Sequence, residues 1–503
     1  MTAVDAVVIG SGPNGLAAAL VLAAAGLQVE VHEAAGTPGG GTRTEELTLP
    51  GFRHDVCSAV HPMAVASPFF AAFDLEAHGV ELLFPEVSYA HPLDGGRAGV
   101  AWRDLDRTAA ALGPDGPAWR ALLGPLVRRW PSLIDTVMSD LRGVPDSPAG
   151  ALWLGARMAE QATPLSRARF RGPVAPAMLA GVNAHAIASP RTPAAVGAGL
   201  VLATLGHAVG WPLPRGGSAA IADAMVAALT AHGGRIVTGH RIDRLAQLPK
   251  ARVVLFDTAP AELLRIAGPE LPSRYAGQLR RFRHGGAVCK VDFALSGPVP
   301  WAAPDCRRAG TLHLVGTRAE AIAAEEAVTA GRHHPRPYVL AVQPGVVDSG
   351  RAPAGKQTFW TYAHVPNRSR RDVSDLVIAQ VERFAPGFRD LILAQHVSTA
   401  TAEEARNANY VGGDISGGAT TLRQLLLRPV PRWDPYETPL PGVYLCSAST
   451  PPGQGVHGMA GLHAAGRALR HLGIDADPLR LLRGVRPDVT SRHLGIGSPG
   501  HGH

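Results

Sequence analysis

The sequence predicts an α/β protein. One Rossmann-type parallel-sheet domain is assembled from three separate stretches, and a domain of helices and mixed or antiparallel sheet is inserted between them. Three observations predict this. A strand, glycine turn, helix and second strand open the chain. Text of the same kind returns near residues 211–260 and again near 439–472. The stretches between read first as Ala/Leu/Arg-rich helices broken by proline, then as strands of alternating apolar and polar residues. A chain of 503 residues is too long for one core, so two domains are expected.

The opening unit is "AVVIGSGPNGLAAALVLAAAGLQVEVHEA". Ala6 to Ile9 is an apolar run suited to a buried parallel strand. Gly10, Gly12 and Gly15 follow in G-x-G-x-x-G spacing. Residues 16–27 favour helix, Gly26 stops it, and Val29 to His32 forms a second strand. In such a unit Gly10 permits the tight turn, Gly12 admits a pyrophosphate, and Gly15 lets the helix pack close to the strand. The helix start offers free N–H groups and a positive dipole end. Glu33, eighteen positions after Gly15, stands where a carboxylate holds a ribose hydroxyl pair. "GIGSPG" (Gly495 to Gly500) has the same spacing but no preceding strand, and reads as part of a flexible tail.

Charge and cysteines exclude several classes. The net charge is +7, and only Lys250, Lys290 and Lys356 are lysines, so the positive charge is almost all arginine. No dense arginine run with interleaved aromatics marks a nucleic-acid surface. The turns Arg280 to Gly286 and Arg368 to Arg371 are short solvated segments, or contacts for anionic headgroups. Cys57, Cys289, Cys306 and Cys446 form no close pair, which argues against a zinc site or redox disulfide and fits a reducing cytoplasm. No targeting segment and no metal-ligand set are expected. The apolar stretch Ala194 to Trp211 is long enough to consider as a membrane span. Its glycines and His207 favour a buried or surface-docking helix.

The boundaries expected are 1–75, 211–285 and 435–480 for the nucleotide domain. Residues 76–210 form a helical insertion, 286–434 a sheet insertion, and 481–503 a flexible tail. The sheet text is "GGAVCKVDFALSGPVPW", "GTLHLVG" and "PYVLAVQPGVV".

Beyond the first motif stand "GGGTRTEELTLPGFRHDVCSAVHP", "GWPLPRGGSAAIADAM", "CKVDFALSGPVPW", "RAPAGKQTFWTYAHVP", "GGDISGG" and "GVYLCSASTPPGQGVHGMAGLHAAG". In this order they resemble the phytoene desaturase-like (carotenoid dehydrogenase-like) FAD-dependent oxidoreductases. Within that family they are most similar to the branch named after pyridine nucleotide-disulphide oxidoreductase domain-containing protein 2. The resemblance implies FAD. Gly10, Gly12 and Gly15 would hold its pyrophosphate and Glu33 its ribose. Gly40, Gly41 and Arg43 would approach the pyrophosphate and flavin, and the Ile242 backbone the adenine. Gly455, Val456, His457 and Gly458 would run under the flavin. Gln454 and Cys446-Ser447 depart from the family pattern. No cysteine pair serves the disulphide of the branch's name, and no second strand-anchored glycine motif serves NAD(P).

The chemistry the resemblance implies is hydride transfer to flavin N5 from a hydrophobic, isoprenoid- or lipid-like substrate, with a side chain handling the proton. Lys290 and Asp292 alternate onto one face of a strand, either as proton handlers beside the flavin or as a structural ion pair. His61 and His457 flank flavin-associated loops and serve as catalysts or as loop caps. Asp414, between glycines, meets the ring or builds a turn. His185 lines a cavity or fills the core, and His501 and His503 belong to the tail. Oxygen or a quinone is the expected electron acceptor, and peripheral membrane contact is expected through Ala194 to Trp211. A flavin-dependent double-bond isomerase, an amine oxidase and a non-catalytic flavoprotein acting through a protein partner remain open.

Overall fold

A computed structural model describes residues 4–140 and 148–485; the segment Gly495 to Gly500 and the histidines 501 and 503 lie outside the described residues. The elements needed to place the site are, along the chain, β1 (Val4–Ile9), α1 (Pro13–Ala24), β2 (Val29–His32), β3 (Val87–Leu93) and β4 (Arg97–Trp102). Next come α2 (Pro148–Gln161), α3 (Pro193–Ala208), α4 (Ala219–Ala231), β5 (Arg235–Val237), β6 (Ala251–Phe256) and α5 (Ser273–Leu279). Then follow β7 (Ala287–Leu295), β8 (Ala309–Leu314), β9 (Val339–Val342), β10 (Gln357–Val365), β11 (Ile392–Ser398), α6 (Leu422–Leu427), β12 (Val443–Leu445) and α7 (Met459–His471).

The first sheet has the order β12-β6-β1-β2-β5, every neighbour parallel. Parallel strands need crossovers, and here the crossovers between β2 and β5 and between β6 and β12 hold most of the remaining chain. α1 is Ala/Leu-rich and buried over nearly its whole length, packed between α4 and α7. Gly461 shows how close α7 comes: a Cβ there would lie 2.8 Å from the Ala18 nitrogen.

The second sheet has the order β11-β7-β10-β9-β8-β3-β4, antiparallel except where β8 runs beside β3. The stretch 76–210 is therefore not purely helical, because β3 and β4 close this sheet as a hairpin. Its turn is Asp94-Gly95-Gly96, with both glycines at positive φ (79° and 71°), the conformation that matches a hairpin's twist. Residues 481–485 are not tail either: Leu482 and Val485 are buried against the first domain's core.

α3 carries the apolar stretch Ala194 to Trp211 and is buried along most of its length, between α2, the helix Val174–Asn183 and the helix Gly116–Val127. Glycine and alanine at 194, 195, 197 and 199 allow that close approach: a Cβ on Gly197 would sit 3.0 Å from the Met158 sulfur. Among the described residues no helix is long and apolar enough to cross a membrane. The apolar character of α3 is spent on the interior, so it supplies no external face.

Candidate functional site

One cavity of about 850 Å³ runs from the glycine turn after β1 to a chamber floored by the second sheet. Gly10 and Gly12 line its first end, together with Glu33, Gly40, Gly41, Arg43 and Ile242. Gly10 has φ +96°, and a Cβ there would meet the Asp257 carbonyl oxygen at 2.6 Å. α1 starts at Pro13 with no side-chain cap and no acidic residue in its first turn, so its end faces the cavity as an anion receptor. Gly40 lies directly over this turn, since its Cβ would stand 3.0 Å from the Gly12 Cα.

Glu33 is fixed before any ligand arrives. Its Oε2 accepts from the Ser11 N–H (2.9 Å) and hydroxyl (2.6 Å), and its Oε1 accepts from the Ala35 N–H (2.8 Å). The Arg43 Nε donates to the Gly40 carbonyl at 3.1 Å and so braces the second glycine loop. The Ile242 carbonyl accepts from Arg265 at 2.7 Å, and Arg265 is held by Glu262 and Asp243. At the far end Gly455 and Val456 line the cavity. His457 and Gly458 stand behind them. The His457 Nδ1 accepts from the Met459 N–H at 3.1 Å at the start of α7, its Nε2 lies 3.2 Å from the Gly453 carbonyl, and burial lowers its pKa to about 4. Gly458 packs on Phe69 instead.

Asp257, at the end of β6, carries no motif and sequence reasoning passed over it. Its Oδ2 accepts from the Gly15 N–H at 2.9 Å and would lie 2.6 Å from a Cβ on Gly12. Gly12 is thus needed to seat a carboxylate of the protein itself, as well as to admit a ligand. Burial, helped by the Glu33 charge, raises the Asp257 pKa to about 7 against the pull of the Gly15 and Gly12 amides.

The register of the second sheet places the other candidates. Thr311, Val342 and Trp360 form one rung across β8, β9 and β10, and Leu340 and Tyr362 belong to the next; all five line the chamber. Asp292 continues the first rung and Lys290 the second, one strand further along on β7. Neither lines the cavity. They form a buried ion pair behind Trp360, with the Lys290 Nζ 5.3 Å from the Trp360 ring centre and the His54 Nδ1 3.6 Å from Asp292. Burial outweighs the pull of Lys290 and raises Asp292 to about 6.

His61 does line the cavity. The Ser218 hydroxyl donates to the Ser58 carbonyl (2.6 Å), so it accepts from the His61 Nε2 (2.8 Å). This assigns the proton to Nε2 and leaves Nδ1 as a buried acceptor without a partner. Burial lowers His61 to about 4. His185 also lines the chamber, 2.8 Å Nε2-to-Nε2 from His313 of β8, and burial lowers it to about 3. Asp414 is a turn hub: its carboxylate accepts from the Gly285, Ser416 and Gly418 amides at 2.8–3.0 Å. All four cysteines are free, and Cys57 lines the cavity.

The residues present fit a dinucleotide such as FAD. Two touching glycine loops, the start of α1, a fixed carboxylate after β2 and a distant glycine loop line one continuous cavity, an extent that a mononucleotide would leave largely empty. Fold and site together define an α/β protein with a Rossmann-like domain and one long cavity of dinucleotide extent. Residues 8–74 match the NAD(P)-binding Rossmann-like domain family. Over 93% of its length the chain is 26% identical to pyridine nucleotide-disulfide oxidoreductase domain-containing protein 2 of Rattus norvegicus, covering 94% of that protein. A 108-residue stretch, 22% of this chain and 19% of the relative, is 33% identical to one of the limonene dehydrogenase subunits of Castellaniella defragrans. Among solved structures, cyclohexylamine oxidase from Brevibacterium oxydans is similar in fold with a TM-score of 0.58 and 18% identity, over 94% of this chain and 100% of that one.

Proposed function

We propose that this chain is an FAD-dependent oxidoreductase of the desaturase or dehydrogenase type that acts on a hydrophobic, isoprenoid- or lipid-like substrate. One observation carries the reading. The carboxylates lining the cavity, Glu33, Asp257 and Glu262, all stand at its dinucleotide end, while the chamber beyond is walled by side chains such as Met63, Met158, Val201, Leu340 and Trp360. Such a wall binds hydrocarbon and excludes water. The stretch shared with a limonene dehydrogenase is in keeping with this substrate class, as is the phytoene desaturase-like block order.

When bound, FAD supplies a hydride acceptor at N5. The protein binds it by the loops described, holds the substrate over the floor of Thr311, Leu340, Trp360 and Tyr362, and keeps solvent out. A proton released from substrate needs an uncharged acceptor. His61 and His185 both line the cavity and are held neutral by burial. In this reading Lys290 and Asp292 act from behind Trp360 as a fixed ion pair, and His457 as a cap. The electrons leave to oxygen or a quinone. The four free thiols suit a reducing, cytoplasmic compartment.

The amine oxidases of similar fold offer a second reading. Against it, an amine arrives as a cation, and the apolar chamber gives it no carboxylate among the described residues. The experiment is to release flavin from purified protein by heat, identify it by chromatography, and identify co-purifying lipids by mass spectrometry. The co-purified compound is then mixed anaerobically with the protein. One FAD per chain and bleaching of the flavin absorbance are expected. Absence of flavin overturns the reading, and double-bond isomerisation without acceptor consumption replaces it with an isomerase.

A further inference from the structure

α6 is a six-residue helix in which no residue is buried. Leu422, Leu426 and Leu427 are exposed, Leu426 to 66%. Leu422, Leu425 and Leu426 also line the cavity, so this apolar helix forms part of its rim. A second wall of the chamber, α2, contributes Leu154 and Met158 and leaves Leu152 70% exposed. α3 packs against both helices.

A basic turn is bolted to α6. The Arg283 N–H donates to the Gln424 Oε1 at 3.2 Å, and the Gln424 Nε2 donates to the Arg283 carbonyl at 2.8 Å. Arg280, Arg281 and Arg283 of this turn, and Arg423 of α6, are exposed and pair with no carboxylate among the described residues. Some surface arginines are matched, among them Arg107 with Glu86, Arg120 with Asp106, and Arg215 with Glu81; what sets this turn apart is that its arginines stand beside the exposed leucines of α6. Leucines exposed to water beside arginines without carboxylate partners make a surface that fits acyl chains and anionic headgroups.

We propose that the face formed by α6 and the turn Arg280 to Arg283 docks on an anionic lipid bilayer and opens the chamber to it. The arginines would meet headgroups while Leu422, Leu426 and Leu427 enter the acyl boundary. Passage of substrate at that point rests on the function proposed above; the docking does not. Unmatched positive charge on one face, on a chain of net charge +7, disfavours a second copy there.

The test is flotation of the purified full-length protein with phosphatidylcholine vesicles, with and without phosphatidylglycerol. The wild type is expected to float only with phosphatidylglycerol and to be released by high salt. Arg280→Gln, Arg281→Gln and Arg283→Gln together should weaken binding by about tenfold or more. Leu422→Asp with Leu426→Asp should abolish flotation while the unfolding temperature stays within a few degrees of wild type. Failure of the wild type to bind anionic vesicles overturns the proposal, as does unaltered flotation of both variants. So does a dimer, seen by light scattering, that the leucine variant dissolves. Flotation of a protein found to lack flavin would leave the docking standing and sink the oxidoreductase reading.

Discussion

Asp257 places a carboxyl where the glycine turn would receive a diphosphate. With its pKa raised to about 7 it is neutral at pH 6 and charged at pH 8. A charged Asp257 repels the pyrophosphate, so FAD should bind several-fold more tightly at pH 6 than at pH 8, a change worth about 1 kcal/mol. Asp257→Asn should flatten that dependence, and fluorescence titration of the apoprotein with FAD checks it. In the apoprotein the same raised value means that stability from this group is present at low pH and is lost as pH rises towards about 7. Gly12 is coupled to the same carboxylate. Gly12→Val should lose flavin, and Gly12→Ala should cost less affinity when Asp257 is also alanine, because the 2.6 Å contact is gone. Additive effects in that double-mutant cycle would show that only the ligand requires the glycine.

At the scale of elements, the start of α7 and the wall of α3 separate structural from functional roles. His457 accepts from the Met459 N–H and has no face on the cavity, so His457→Ala should destabilise the protein by about 1–3 kcal/mol by orphaning a buried donor. Thermal unfolding measures that loss, while the flavin content of the folded fraction should stay unchanged. On α3, Ala198 lines the chamber. Ala198→Trp should fill it, keeping bound flavin while removing co-purifying lipid and substrate-driven bleaching. Loss of flavin in that variant would place the dinucleotide, and not the substrate, against α3.

For the whole molecule, the five-stranded parallel sheet carries, among the described residues, a single strand-anchored glycine turn, and one cavity leads from it. If FAD fills that site, the described residues offer a nicotinamide cofactor no second glycine turn of this kind. NADPH should therefore bleach the flavin slowly and without stoichiometry in an anaerobic stopped-flow experiment. Rapid stoichiometric bleaching would move the assignment towards a reductase.

The sequence by itself determined whatever is local in the chain. The strand, glycine turn, helix and strand at residues 4–32 occur in the expected order, with the helix shifted three residues towards the glycine turn, to Pro13–Ala24 instead of 16–27, because a few neighbouring residues decide each element. The same holds for the strands around Ile236, Val254 and Val291, and for the glycine positions of the dinucleotide end. Only tertiary structure decided what a side chain faces. Lys290 and Asp292 share one face of the sheet, in the rungs of Tyr362 and Trp360, and the strand carrying those two residues stands between them and the chamber. Asp257 has no sequence signal, since its role arises from contact with glycines some 240 positions away. The hairpin β3–β4 was hidden in helical surroundings, although Asp94-Gly95-Gly96 marked its turn. α3 has the composition of a lipid-facing helix yet is buried, while three exposed leucines cluster on α6, in a stretch too short for periodicity to resolve. Burial is a property of what packs against an element, and that partner is chosen by the fold.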